Sequence, residues 1–376
     1  MRIGIEAQRI FRKNKHGMDY VVLQEIKEIQ KMDTHNEYFV FVRPGEDRCV
    51  QDTHNMHVIE VNCPTYPLWE QFALPRAARK VGVEILHCTS NTAPIWCGIP
   101  LMLTLHDIIY LEGREKKSSS WYQNMGWYYR RFVVPRIVKK CIHIITVSHF
   151  ERNNIISKLN IQQERISVIH NGYNDTYVPL EDKSQRSKKY IEQPNYFFIL
   201  GNTDTRKNVE RMLIAYSLYL KRSKVKRNIL ISSLSNDYIV QLLKRNNIED
   251  ILPYLSSTGY VPGEDLPYLY NDAFAFLFVS LREGFGIPLL EAMACGTPVI
   301  SSNTSSMPEI GGPNAILVNP ESVEEITAMM LRLETDSTFY QHQKEVGLER
   351  AKLFSWRKTT EQLLELYETV YHERKP

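Results

Sequence analysis

The chain has 376 residues, 43% of them hydrophobic and 24% charged, with a net charge of +3. That length is too great for one ordinary core and suits two domains of about 150–200 residues each. The small net charge does not indicate a dedicated nucleic-acid binder, and no run approaches the roughly 18 apolar residues of a membrane span. The amino-terminal MRIGIEAQRI has too short an apolar stretch, and no small-residue cleavage pattern, to be a signal peptide. Six scattered cysteines without a C-x-x-C read as reduced core thiols of a cytosolic protein.

In chain order, the first half alternates short apolar runs with helical patterns. MRIGIEA, EYFVFVRP, MHVIEVN, EILHCTS, LMLTLHD, HIITVS and ISVIHNG each read as a buried strand, while DYVVLQEIKEIQKM and LWEQFALPRAARKVG carry a helical period. Alternation of this kind predicts a parallel sheet with helices on both faces. Residues near 175–195 are polar and charged and hold two prolines, the composition of a linker. The pattern then restarts. NYFFILGN, NILISSLS, STGYV, FAFLFVS and TPVISSN read as strands, interleaved with the helices VERMLIAYSLYLKRS, DYIVQLLKRNN, DLPYLYNDA and PLLEAMAC. VEEITAMMLRLETD and SWRKTTEQLLELYETVYHER close the chain as helices. The expected fold is α/β, with two Rossmann-like doubly wound domains facing across a cleft at the carboxyl edges of their strands, where this architecture binds ligands.

The stretch REGFGIPLLEAMACGTP follows the strand FAFLFVS, so EGFG occupies a strand-to-helix turn. Gly284 and Gly286 let the backbone approach a ligand or take a positive φ. Pro288 fits the first helical turn and Gly296 ends the helix. The amide groups at this helix start favour an anion such as phosphate. Glu291 lies one turn into the helix, where a carboxylate beside phosphate is unfavourable, so it is expected on neutral hydroxyls such as those of a ribose. Glu283, in the turn, can serve a second set of hydroxyls. Sugar, diphosphate and ribose in sequence describe a nucleotide-sugar. Glycines alone would describe an ordinary tight turn; the spacing with both acids argues for a site.

EGFGIPLLEAMACGTPVISSN, with its E-x7-E, resembles the donor-site signature of retaining glycosyltransferases of the GT-B fold, family 4. GNTDTRKNVERMLIAY resembles the family's glycine-to-Arg/Lys element, VSHFERNNII and VIHNGYND its interdomain segment, and TLHD its amino-domain His motif; SSNTSSMPEIGG continues the likeness. The resemblance implies an acceptor-binding domain over residues 1–180, a donor-binding domain over 190–356, and a last helix, 357–376, packing back on the first domain. It implies that Gly17, Arg206, Lys207, Tyr260, Val261, Glu283, Phe285, Gly286, Ile287 and Glu291 bind the donor, with Glu283, His106 and Lys207 catalytic. Arg206 and Lys207 would neutralise the leaving diphosphate. No D-x-D occurs in the chain, so neither a protein-held metal nor a cofactor is expected.

The first βα turn departs from the family pattern. Gly17 is kept, but Asp19 stands where relatives often carry a second glycine, and is expected to face an acceptor hydroxyl. Glu6 stands where relatives often carry Asp. The partners implied are a nucleotide-sugar (GDP-mannose or a UDP-sugar) and a glycan or lipid-linked acceptor, in cell-surface polysaccharide assembly. Two other classes share these features in part: a GT-B phosphorylase, which needs a Schiff-base lysine for pyridoxal phosphate, and a non-catalytic protein that binds sugar nucleotides or glycans.

Residues 114–140 hold eight basic side chains against one acid, with two tryptophans and three tyrosines. That composition suits peripheral contact with an anionic membrane. It suits equally a solvated helix pair whose aromatics face the core; stacking on single-stranded nucleic acid is the least supported reading. The expected location is cytoplasmic, at the inner face of the membrane.

Overall fold

The computed structural model describes the chain except residues 14, 16, 113–120, 182–183 and 374–376, and the side chains of 121–124 and 184–185. Residues 114–120 of the basic-aromatic stretch therefore lie outside the described residues. The chain divides into two compact units, Met1–Asn171 with Trp356–Pro376, and Gly172–Ser355.

The first unit is built on seven parallel strands: β1 (Arg2–Glu6), β2 (Glu37–Val42), β3 (Met56–Glu60), β4 (Ile85–Cys88), β5 (Leu101–Leu105), β6 (His143–Thr146) and β7 (Ile166–Val168). Their order across the sheet is β3-β2-β1-β4-β5-β6-β7. An all-parallel sheet must bury both faces, which is why these strands read as continuous apolar runs. One face is covered by the helices Gly17–Met32 and Trp356–His372, which pack on each other. Leu363, Tyr367 and Val370 of the last helix join Ile3, Ile5 and Ile26 in one cluster. The buried His87 of β4 ties that helix to the sheet, with Nδ1 bonded to the Tyr367 hydroxyl at 2.6 Å and Nε2 to the Thr104 hydroxyl at 2.7 Å. On the other face, Trp69, Val133, Val134 and Ile137 pack on Leu86, Leu103 and Ile144.

The helical run 66–80 is not one regular helix. Residues Tyr66–Leu68 and Leu74–Lys80 are α-helical, and Trp69–Ala73 between them forms a π turn. Pro75 follows that turn; lacking an N–H, it cannot make an intrahelical bond of its own, and the wider turn accommodates it.

The second unit carries six parallel strands, β8 (Tyr196–Leu200), β9 (Ile229–Ser232), β10 (Leu255–Ser257), β11 (Ala273–Phe278), β12 (Val299–Ser302) and β13 (Ile316–Val318), in the order β10-β9-β8-β11-β12-β13. Two elements differ from expectation. β10 is Leu255–Ser257 rather than STGYV, because the register of β9 pairs Leu255–Ser257 with Ile229–Ile231 and leaves Gly259 to accept only a loop bond from Ser233. The edge strand β13 gives no signal beyond four apolar residues, Ala315–Val318, flanked on both sides by Asn and Pro, and only pairing with β12 makes Ile316–Val318 a strand.

The segment expected to be a linker is docked on the second unit. The Leu180 amide donates to Asn271 Oδ1 at 2.8 Å, Asn271 Nδ2 to the Val178 carbonyl at 2.9 Å, and the Tyr190 hydroxyl to Asp265 at 2.6 Å. Ser187 bonds Asp272, and Tyr177 and Ile191 are buried. Composition misleads here because the segment's exposed charges outnumber the few side chains that anchor it. The six cysteines are free thiols, Cys88, Cys141 and Cys295 buried.

In each unit the chain starts at an inner strand, builds outward one way, and returns to build the other way. Neighbouring loops at the carboxyl ends of the strands diverge where the order reverses, between β1 and β4 and between β8 and β11. Such reversals open the crevice that holds ligands in doubly wound sheets.

Candidate active site

In the second unit the loops after β8 and β11 meet at that reversal. The turn Thr205–Lys207 is capped by Asp204, whose carboxylate accepts the Arg206 amide at 3.0 Å. Asn208 then takes the left-handed conformation (φ 60°) and is buried. Its Nδ2 donates to the Val279 carbonyl at 2.9 Å and the Pro320 carbonyl at 2.7 Å, pinning the turn to the end of β11. Gly201, at the exit of β8, is required sterically, since a Cβ there would lie 2.4 Å from the Ser232 carbonyl oxygen.

Both cations of this turn are paired. Lys207 Nζ donates to Glu283 Oε1 at 2.6 Å and lies 5.5 Å from the centre of the Phe278 ring. The Arg206 guanidinium forks onto the Asp204 carboxylate, with Nε at 3.0 and 3.1 Å from its two oxygens. Burial works to raise the Asp204 pKa, but the bonds from Arg206 and the charges of Arg206 and Lys207 outweigh it and hold the group below its ordinary value. The Lys207 side chain is 29% exposed and the Glu283 side chain 13%.

The E-x7-E turn is shaped from below by two serines. The Glu283 amide donates to Ser305 Oγ at 3.2 Å, and Ser306 Oγ donates to the carbonyls of Glu283 (3.2 Å) and Phe285 (3.0 Å). Gly286 sits at φ 104°, and a Cβ on it would press on Met307 at 2.5 Å. Ile287–Ala294 follows as a helix with Pro288 in its first turn. Glu291, on this helix, is 9% exposed and turned inward. The Tyr270 hydroxyl donates to its Oε2 at 3.3 Å, and Tyr177 also bonds it. Burial raises the Glu291 pKa from 4.5 to about 7, with the two tyrosine bonds working the other way.

One donor-side side chain is placed otherwise than expected. The Phe285 side chain, expected at the sugar, is 4% exposed and packs edge-on against Phe354 at 6.0 Å, because the apolar ring gains more from the core than from a polar turn. The Tyr260 side chain is 74% exposed, whereas that of Val261 next to it is buried.

In the first unit the loops after β1, β4 and β5 gather at their own reversal. The His106 amide donates to Asn91 Oδ1 at 2.6 Å, with Asn91 in a left-handed turn (φ 66°). His106 Nε2 bonds the Thr89 carbonyl at 2.9 Å. A carbonyl only accepts, so Nε2 carries the hydrogen and the neutral ring keeps Nδ1 as an acceptor. Burial depresses the His106 pKa, against opposing contributions from Thr89 and Asp107. Thr89 in turn donates its hydroxyl to the Glu6 carbonyl at 2.6 Å, so Glu6 serves to hold this loop. Asp19 does not stand free for an acceptor: its side chain is 1% exposed and pairs with Arg9 Nε at 2.9 Å, because a helix-start carboxylate inside the unit needs a counter-charge. Gly17 is exposed, and a side chain there would meet nothing within 4 Å, so the fold itself does not require glycine.

Asn208, Ser305, Ser306, Tyr177 and Asn91 went unread in the sequence. Only Asn208 and Asn91 carried a local signal, an Asn where a left-handed residue reverses the chain, Asn91 in the loop after β4 and Asn208 between the turn Thr205–Lys207 and the helix Val209–Arg222.

Comparison with known proteins agrees with this architecture. The model of the family "Glycosyl transferases group 1" matches residues 181–350, and that of "Glycosyltransferase Family 4" matches residues 16–177. O-antigen chain mannosyltransferase B of Escherichia coli is 34% identical over 249 residues, which cover 62% of this chain and 65% of that protein. O-antigen chain mannosyltransferase RfbU of Salmonella typhimurium is 31% identical over 256 residues, 65% of this chain and 64% of that protein. The alignments thus span just under two thirds of these relatives. Sucrose-phosphate synthase from Thermosynechococcus elongatus has the same fold, with a TM-score of 0.77 over 99% of both chains at 19% identity. Two parallel-sheet α/β domains, each matched by its own family model, and an E-x7-E turn at the reversal of the second sheet lead to one assignment: the chain belongs to the GT-B glycosyltransferases of family 4.

Proposed function

We propose that this protein transfers a hexose-type sugar, mannosyl or a close relative, from a nucleotide-diphosphate sugar to a glycan or lipid-linked acceptor in cell-surface polysaccharide assembly, with retention of anomeric configuration. The observation that carries the reading is the Lys207–Glu283 pair at the β8/β11 reversal. Such a pair can exchange partners when a donor enters. Lys207 and Arg206 turn to the diphosphate, and Glu283 turns to the hydroxyls of the sugar. The start of the Ile287–Ala294 helix at Gly286 adds amide donors to the diphosphate. Glu291 takes the ribose hydroxyls, exchanging them for the two tyrosine hydroxyls it now accepts from. Tyr260 and Val261 border the base through their backbone.

The sugar–phosphate bond then breaks on the face that the acceptor approaches. The departing phosphate oxygen takes the acceptor's proton, the sugar passes through an oxocarbenium-like state, and the acceptor oxygen bonds the same face. Lys207 stabilises the developing charge on the leaving oxygen, the role a metal plays in other transferases. No protein nucleophile, cofactor or protein-held metal enters this scheme. His106, Gly17 and the loop after β4 belong to the acceptor-side unit, with His106 neutral and able to accept a hydrogen bond from a sugar hydroxyl. We place the reaction in the cytoplasm at the inner face of the membrane, with residues 114–140 in peripheral contact; no described helix is long and apolar enough to cross a membrane.

The test is a thermal-shift screen of nucleotide-sugars followed by donor hydrolysis and transfer with and without chelator. A donor at 100 times its Kd adds about 2.7 kcal/mol of stability. Binding without turnover of any donor would leave a sugar-nucleotide-binding protein, and an absorbance band of a pyridoxal Schiff base would leave a phosphorylase.

A further inference from the structure

Eleven large hydrophobic side chains are exposed among the described residues, and six of them fall in three segments of the first unit: Leu68 and Phe72, Trp96, and Met125, Tyr128 and Phe132. These segments are stitched together. Gln71 accepts the Ile95 amide at 2.8 Å and donates to the Ala93 carbonyl and the Tyr129 hydroxyl. Lys140, just past the helix Trp121–Ile137, donates to the Ile95 carbonyl at 2.8 Å. Within the helices the exposed positions are three or four apart, so each set lies on one face. Phe72 is 65% exposed, Trp96 71% and Tyr128 67%, far more than single scattered hydrophobics need.

The charge on this face is of one sign. Every exposed charged side chain within residues 66–80, 91–99 and 125–140 is a cation, and the one carboxylate there, Glu70, is buried. Glu70 accepts hydrogen bonds from the hydroxyls of Tyr66, Thr92 and Tyr129 and from Gln71, which fixes the segments without adding surface charge. The Arg136 guanidinium lies 3.8 Å from the centre of the Phe132 ring, and Lys140 Nζ lies 6.0 Å from that of Trp96.

We infer that this face of the first unit is a docking surface for an anionic lipid bilayer, with the aromatic and aliphatic side chains entering the headgroup region and the cations meeting lipid phosphates. Aromatic rings beside Lys and Arg are the side chains that prefer this interface, and anionic lipid attracts each nearby cation. A second copy of the chain would set this face against like charge. Nucleic acid would use the cations and rings but not Leu68 or Met125. The inference extends the peripheral contact proposed above to residues 66–80 and 91–99. It is read by binding, without donor or acceptor, so its failure and that of the transferase reading are distinguishable.

The experiment is flotation of the full chain with vesicles of phosphatidylcholine, with and without phosphatidylglycerol. The expected result is binding to the phosphatidylglycerol vesicles alone, weakening as salt rises. Phe72→Ser with Trp96→Ser and Phe132→Ser is expected to lower binding at least tenfold, as is Arg136→Glu with Lys139→Glu. Should the triple variant lose its circular-dichroism signal, Trp96→Ser alone serves, with a loss of at least threefold expected. No flotation of the wild type, or variants that float as well as it does, overturns the inference. So does binding of a single-stranded oligonucleotide in place of vesicles, or a dimer in sedimentation that the triple variant abolishes.

Discussion

Lys207 and Glu283 face each other at 2.6 Å, and what each does in turnover differs. Lys207→Ala removes the charge that stabilises the leaving oxygen, and a lost donor of that kind costs about 10²–10³-fold in rate; kcat is expected to fall on that order with KM for the donor changed far less. Unchanged kcat in steady-state assays would sink the assignment. Glu291 yields a pH prediction. Its pKa is raised by burial from 4.5 to about 7, so the folded chain holds a proton that the unfolded chain has lost between those values. Its contribution to stability is therefore fully present below pH 4.5 and is lost as pH rises to about 7, a change on the order of 3 kcal/mol. Glu291→Gln abolishes that slope, which Tm measured from pH 4 to 8 in both proteins will show. Donor affinity should run the other way, tightening as the carboxylate ionises in the wild type and staying flat in the variant, by calorimetry. The position of Glu291, one turn into a helix, was legible in the sequence. Its two tyrosine partners were not, since Tyr177 and Tyr270 lie far from it in the chain and reach it only through packing.

At the scale of elements, two turns hold the donor side, and their glycines are not equivalent. A Cβ at Gly201 meets a backbone carbonyl, whereas at Gly286 it meets the end of the flexible Met307 side chain, added to the strain of φ 104°. Gly201→Ala is expected to cost more than Gly286→Ala, which should lose about 1–3 kcal/mol; equal midpoints in urea would contradict the steric argument. Asn208→Ala removes two bonds to buried carbonyls and puts alanine in the left-handed region, an expected loss of roughly 2–4 kcal/mol. Because Asn208 adjoins Lys207, kcat should fall with stability. The strand-to-helix turn at EGFG was readable because strand, turn and helix are contiguous. The π turn at Trp69–Ala73 was not, because its local sequence also fits a plain helix and the burial of Glu70 among hydroxyls is a tertiary event.

At the scale of the whole molecule, the last helix belongs to the unit that the chain began with. It covers one face of a parallel sheet that cannot be left open to water. A chain ending before Trp356 is expected to leave the first unit unfolded, as judged by near-ultraviolet circular dichroism and limited proteolysis. Tyr367→Phe is the gentler probe. It leaves a nitrogen of the buried His87 without its partner and should cost about 1–3 kcal/mol in urea unfolding, a loss that His87→Phe in the same background should not double.

The sequence by itself determined the two parallel-sheet halves and the turn that carries both acids. Buried strands and amphipathic helices are written in local periodicity, and E-x7-E is written in one contiguous segment. Only the tertiary structure decided which charges meet. Lys207 reaches Glu283 across 76 positions because β8 and β11 are neighbours at the reversal of the sheet. Asp19 turns to Arg9, Phe285 to Phe354 and the supposed linker to the helix Leu266–Asp272, each because burial and pairing between distant segments outweighed the preference of the local sequence.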